Sequence, residues 1–155
     1  MKAIGLDVGD KTIGVALSDD LLFSAHGLKT IQRVGIRKDT GAIIELIDEY
    51  VCDTVVIGLP KRLDGTDSQQ TEKVYEFKKM LENKLISTGK TGINLVYQDE
   101  RLTTVQAQKV LIEADVSRKK RKEVIDKQAA VLILQGYLDR LYYIKAQESE
   151  REMKE

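Results

Sequence analysis

Ala3-Ile4-Gly5-Leu6-Asp7-Val8-Gly9, followed shortly by Ile13-Gly14-Val15-Ala16-Leu17-Ser18, is the stretch that decides the fold. In the first segment Ile4, Leu6 and Val8 fall on one side and Ala3, Gly5 and Asp7 on the other, the period-two alternation of a strand. The second segment alternates in the same way. The turn-like Gly9-Asp10-Lys11 joins the two, so they predict an antiparallel hairpin with Asp7 at a strand end, on a face of small residues.

Working outward, a third strand is expected around Ser24 to Ile31. From Asp39 to Val51 the residues Ile43, Ile44, Ile47 and Val51 recur at helical spacing with acids on the other side, which predicts an amphipathic helix. Thr54-Val55-Val56-Ile57-Gly58 is continuously apolar, as expected of a central strand covered on both faces. The single proline, Pro60, follows it. The loop Lys61 to Ser68 then precedes a second helix with the stripe Val74, Phe77, Leu81 and Leu85. Ile93 to Tyr97 reads as a further strand whose end, Gln98-Asp99-Glu100-Arg101, runs toward Thr103 and Gln106 at capping-box spacing, with a helix to about Glu113. A last helix is predicted from about Lys122 to Tyr143, and a polar, frayed tail from Lys145 to Glu155. Three consecutive strands followed by alternating helices and strands predict an α/β fold with a mixed sheet covered on both faces. It is read as one domain over residues 1–144 with a polar tail over 145–155.

The bulk composition agrees. A chain of 155 residues with 42% apolar and 32% charged residues suits one globular domain and argues against disorder. No run approaches the roughly 18 apolar residues of a membrane span, and the start lacks a basic segment followed by an apolar one, so a cytoplasmic protein without a membrane partner is expected. Cys52, the one cysteine, is expected to be buried, and no second Cys or His stands near it in sequence to make a zinc site. Twenty-five basic residues balance twenty-five acidic ones, so any nucleic-acid binding has to come from local clustering. Such a cluster is Arg118-Lys119-Lys120-Arg121-Lys122; a run of this kind can also be a merely solvated segment.

In open α/β sheets ligands gather beyond the carboxyl ends of strands. Acids stand at three such places: Asp7, the pair Asp99 and Glu100, and Asp126 in the last helix. Asp126 heads the helical stripe Ala129, Ala130, Ile133 and Leu134, which must face the core. A buried carboxylate has to be protonated, paired or used as a metal ligand. Several converging acids favour a hard cation, Mg2+ or Mn2+, and such ions catalyse phosphodiester hydrolysis. Blander readings stand beside each acid. Asp7 before Gly9 also suits a turn, Asp99 a helix entry, Glu100 a surface ion pair with Arg101, and Asp126 a first-turn acid favoured by the helix dipole. Lys61 and Arg62, at the same sheet edge, could touch phosphates or simply be solvated. His26 carries no expected catalytic duty, and Tyr137, Tyr142 and Tyr143 are spaced for packing or partner contacts.

Gly5-Leu6-Asp7-Val8-Gly9 with Ile13-Gly14-Val15-Ala16, Gly58-Leu59-Pro60 with Asp64-Gly65-Thr66, Asp99-Glu100-Arg101-Leu102-Thr103-Thr104, and Asp126 with Ala129-Ala130 together resemble the YqgF (RuvX) family. The resemblance runs in order from about Lys2 to Leu141. That family is described as a Holliday junction resolvase related to the RuvC resolvases, and as a nuclease that processes the 5′ end of pre-16S rRNA. The resemblance implies an RNase H-like fold, three antiparallel strands then parallel ones flanked by helices. It also implies metal-dependent endonuclease activity with Asp7, Glu100 and Asp126 as the acidic triad, and Asp99 in reserve as a ligand. Lys61, Arg62, Arg101 and the run Arg118, Lys119, Lys120, Arg121 and Lys122 are the candidate contacts to structured RNA or branched DNA. Two departures stand out. Thr12 occupies a position where many members carry arginine, and the middle strand ends in Gly58-Leu59-Pro60 where RuvC-type resolvases place their second acid. The ligand role is expected to have moved to Glu100.

Two other readings stay open. Asp7-Val8-Gly9 with the following strand also resembles the first phosphate loop of actin-like ATP-binding proteins, although those use two such domains. A non-catalytic nucleic-acid or ribosome-assembly module would keep the fold without a competent site. A resolvase cutting two strands symmetrically would be a homodimer, whereas an RNA-processing nuclease can act as a monomer.

Overall fold

The computed structural model describes residues 1–102 and 118–154, with backbone alone for 102 and 118–126. The predicted capping box at Thr103 and Gln106 and the helix to Glu113 lie outside the described residues. The strands are β1 (Lys2–Val8), β2 (Thr12–Ser18), β3 (Ala25–Gln32), β4 (Cys52–Leu59) and β5 (Asn94–Asp99), and the helices are α1 (Ile36–Tyr50), α2 (Gln69–Ser87) and α3 (Arg118–Lys154). A single 3-10 turn, Glu100–Leu102, follows β5.

The sheet order is β3-β2-β1-β4-β5. β1, β2 and β3 are antiparallel neighbours, and β4 and β5 add in parallel to the other edge of β1. This is the mixed sheet that the strand order predicts. Alternation sorts the side chains into two layers. Ile4, Leu6, Val8, Val55 and Ile57 pack under α1 and α2, around the fully buried Phe77. Ala3, Ala16 and Val56 lie under α3, which contributes Ala129, Ala130, Ile133, Leu134 and Leu138.

Small residues on that second face let α3 come close. A Cβ on Gly5 would stand 2.7 Å from Leu134 Cβ and 3.1 Å from the Ala130 carbonyl oxygen, so only glycine permits this crossing.

Several expectations shift. In α1 the buried stripe is Asp39, Thr40, Ile43, Ile44, Leu46 and Ile47, so Asp39 faces the core and not the solvent. Val51 is 61% exposed and serves as the left-handed C-cap, with φ 55°, instead of extending the stripe. α2 begins with a capping box in which Ser68 and Thr71 satisfy each other's backbone N–H groups. The segment after Lys145 is polar and exposed as expected, yet it continues α3 as helix to Lys154 instead of fraying. Among the described residues no helix is long and apolar enough to cross a membrane. Cys52 is buried, and desolvation pushes its thiol up to about 11.

Candidate active site at the carboxyl edge of the sheet

Alternation along β1 places Asp7 on the face of Ala3 and Gly5, beneath α3, and the residue is 6% exposed. It stands opposite Gly14 of β2, which has no side chain to crowd it. On its other side, continuing the register that pairs Leu6 with Ile57 brings Gly58 level with Asp7, about 4.8 Å away across the ladder. Gly58 also faces α3, because a Cβ there would collide with Ile133 Cδ1 and stand 3.0 Å from Glu100 Oε1. The Glu100 carboxylate thus occupies the space that a side chain on β4 would need. Where the middle strand lacks its own acid, the end of the neighbouring strand supplies one.

The consecutive acids Asp99 and Glu100 part company for the same periodic reason. Leu95 and Tyr97 pack toward α1 and α2, whereas Val96 packs under α3 and Gln98 accepts a 3.1 Å hydrogen bond from Arg140 of α3. Glu100 continues the α3 side and is 2% exposed. Asp99 turns the other way and is clamped by Arg101, whose Nη2 lies 2.7 Å from Oδ2 and whose Nε lies 3.2 and 3.1 Å from the two oxygens. The guanidinium bonds, outweighing the opposing effect of burial, hold the Asp99 carboxyl below its ordinary range. The same pairing raises Arg101.

Asp126 lies in α3 one turn before Ala130, in register with the buried stripe that crosses β1. Its side chain is outside the described residues. α3 starts at Arg118, so Asp126 is in the third turn and the first-turn reading of this acid does not hold; the first turn contains no acid. The basic run Arg118 to Lys122 opens the same helix, and its side chains also lie outside the described residues. Among the described residues, no three His, Cys, Asp or Glu side chains group as metal ligands. Asp7 and Glu100 are the two buried carboxylates described on the α3 face.

The turn behind Asp7 is held by residues that the sequence reading passed over. Gln70 Nε2 donates to the Val8 carbonyl at 3.0 Å, and Arg33 Nη1 donates to the Gly9 carbonyl at 2.8 Å. Arg33 Nε also reaches Asp39 Oδ2 at 2.9 Å, with the guanidinium over the Phe77 ring at 5.5 Å. Asp39 is 1% exposed, and its other oxygen accepts the Val34 N–H at 3.0 Å. The spacing of Asp39, Ile43 and Ile47 was a readable signal, because i, i+4, i+8 puts the acid on the core stripe. Thr12 is 3% exposed, and its carbonyl accepts the Gly9 N–H at 2.9 Å. Lys61 lies 3.5 Å from Asp67, and Arg62 is exposed at the same edge.

Residues 1–140 match the RuvX family, described as Holliday junction resolvase. The chain belongs to the RuvX family. A Clostridium tetani relative named "Putative pre-16S rRNA nuclease" is 49% identical over 142 residues, spanning 92% of this chain and 99% of its own. A Desulforamulus reducens relative of the same name is 52% identical over 139 residues, spanning 90% and 97%. Among solved structures, T. thermophilus RuvC in complex with Holliday junction substrate aligns with a TM-score of 0.57 at 11% identity, covering 90% of this chain and 96% of that one. The yeast mitochondrial Holliday junction resolvase Ydc2 aligns at 0.54 and 12% identity, covering 88% and 77%. RuvX therefore shares the RNase H-like fold of the resolvases, and the family is one of nucleases.

Proposed function

We propose that this RuvX chain is a divalent-metal-dependent endonuclease that hydrolyses phosphodiester bonds in structured nucleic acid, with 5′-end maturation of pre-16S rRNA as its role. The observation that carries the reading is the Glu100 carboxylate seated over Gly58, level with Asp7 on the α3 face. Two buried carboxylates on one face are a hard-oxygen donor set that suits Mg2+ or Mn2+. Asp7 and Glu100 would hold the ion, and Asp126 would supply the third acid from α3. A bound ion of this kind supplies positive charge to the departing oxygen and acidifies its water. Asp99, with both oxygens engaged by Arg101, shapes the neighbouring loop instead of serving as a ligand.

The basic run Arg118 to Lys122 supports a polyanionic partner. Cations in the first turns of a helix oppose its dipole, and a phosphate backbone relieves that opposition. The family description keeps four-way DNA in view as a second substrate, for which a two-fold dimer is required.

The test is cleavage of a 5′-extended 16S precursor RNA and of a four-way DNA junction, with Mg2+ or Mn2+, by wild type, Asp7→Asn, Glu100→Gln and Asp99→Asn. Asp7→Asn and Glu100→Gln are expected to lose about 100-fold or more, while Asp99→Asn stays within a few-fold of wild type. Undiminished cleavage by Glu100→Gln would overturn the assignment. Metal-independent binding with no cleavage of either substrate would favour a non-catalytic assembly module.

A further inference from the structure

α3 runs past the sheet that it covers. The RuvX match ends at residue 140, and 142 aligned residues span 99% of the C. tetani relative, so the helix beyond Leu141 lies outside what the two share. Tyr142 to Lys154 are helical and exposed. About a dozen helical residues are marginal in water without a packing partner. Their pattern supplies a face for one. Gln135 and Leu138, which α3 turns toward the domain, are followed on the same side by Tyr142, Ala146, Ser149 and Met153, spaced by four, three and four residues. That is the spacing of a coiled-coil seam, with two small residues between apolar ends.

The base of the projecting helix meets a second apolar element. The turn between β2 and β3 holds out Leu21 and Phe23, and these two, with Tyr142 and Met153, are each at least 67% exposed. Phe23 meets Tyr142 edge-on, with ring centroids 6.4 Å apart. The turn is tied from both sides. Asp19 Oδ1 accepts the Phe23 N–H at 2.7 Å and the Ser24 N–H at 3.2 Å. Gln135 of α3 accepts the Ala25 N–H at 2.9 Å and donates to the Phe23 carbonyl at 3.0 Å. Leu22 is held at φ 57°, a region rare for leucine. Between this turn and α3 lies a cavity of about 210 Å³, lined in part by Phe23, Leu138, Asp139 and Tyr142.

We propose that this face is a homodimer interface in which the projecting helices of two copies pack antiparallel about a two-fold axis. With the axis between Gln147 and Glu148, Tyr142 meets Met153 of the partner subunit and Ala146 meets Ser149 of the partner subunit, each contact being made twice. Met153 of the partner subunit then caps the cavity at Phe23 and Tyr142. The flanks match in charge, since Lys145 falls beside Glu152 of the partner subunit and Asp139, at the cavity, beside the partner's Lys154. A parallel pair would crowd both domains at one end of the helices and leave Met153 away from the cavity. In the antiparallel dimer the two acidic edges, at the other end of each α3, face outward, on the order of 60 Å apart by helix rise. Under the nuclease reading above, two such sites cannot meet at one branch point, and each cuts on its own.

Sedimentation equilibrium of the full chain, from about 1 to 200 μM, tests the interface, with thermal melts to show that each variant is folded. An interface this short is at the small end, and wild type is expected to dimerise with a Kd of about 10 μM. Met153→Lys should weaken the dimer about tenfold or more. Lys145→Glu and Glu152→Lys should each weaken it a few-fold, and the double variant, which restores the opposite charges, should return to wild-type affinity. Small-angle scattering of the dimer is expected to show an elongated, two-lobed particle. The proposal falls if wild type stays monomeric throughout that range, which would leave the face to another protein. It falls equally if Met153→Lys dimerises as wild type does, if the charge variants show no loss and recovery, or if the dimer is compact. None of these readouts involves cleavage, so the dimer and the nuclease reading stand or fall separately.

Discussion

Gly58→Ala puts the site geometry under direct strain. The added Cβ would collide with Ile133 Cδ1, lie 3.1 Å from Ile133 Cγ1 and stand 3.0 Å from Glu100 Oε1. Overpacking of this kind costs about 1–3 kcal/mol, offset by about 0.4–1 kcal/mol from the reduced freedom of the unfolded chain. A net loss of about 1–2 kcal/mol corresponds to a fall in Tm of about 2–8 °C for a chain of this size. Cleavage should suffer more than stability, because a carboxylate displaced by ~1 Å costs about 100-fold in rate. Adding Ile133→Val removes the colliding methyl. It should recover part of the lost Tm through a coupling of about 0.5–3 kcal/mol, while cleavage stays low because the close approach to Glu100 persists. Gly92→Ala, where a Cβ meets nothing within 4 Å, is the matched control: it should leave cleavage unchanged and raise Tm by about 1–4 °C, because only the reduced freedom of the unfolded chain acts there. Thermal melts and single-turnover cleavage of the precursor RNA provide both readouts. A Gly58→Ala protein with wild-type Tm and wild-type cleavage would refute the claim that Glu100 fills the space over Gly58.

The Arg33–Asp39 pair predicts a pH signature. Burial pushes the Asp39 carboxyl up, but the Val34 N–H, the Arg33 guanidinium and the Gly35 N–H outweigh it and hold the group below its ordinary range. Its stabilisation is therefore present above the unfolded value of about 4 and is lost as pH falls through the depressed folded value. Asp39→Asn should cost about 3–5 kcal/mol at pH 7, with the Tm gap to wild type narrowing below about pH 4. A gap that widens in acid would contradict the pairing. Cys52, with its thiol raised to about 11 by burial, should resist a thiol-reactive disulfide reagent at pH 8 in the native protein and react fully in denaturant. Rapid native labelling would show that β4 opens at its start.

The sequence by itself determined the elements and their faces. Alternation in Lys2–Val8 and Thr12–Ser18 gave the hairpin and the side of the strand on which Asp7 lies, and the stripe Ala129, Ala130, Ile133 and Leu134 gave the core face of α3. These patterns are local, set by the two-residue and 3.6-residue periods of strand and helix. Tertiary structure decided what no period encodes. Asp99 and Glu100 are adjacent and chemically alike, and the seat of Glu100 depends on a missing side chain at Gly58, more than forty residues earlier in the chain. Asp99 turns to Arg101 and braces a loop that belongs to β4. Asp39 is tolerated in the core because Arg33, from the far side of a loop, reaches it. Burial of a charge is decided by whichever distant segment supplies its counter-charge or its space, and that becomes fixed only when the sheet closes its register and the helices pack.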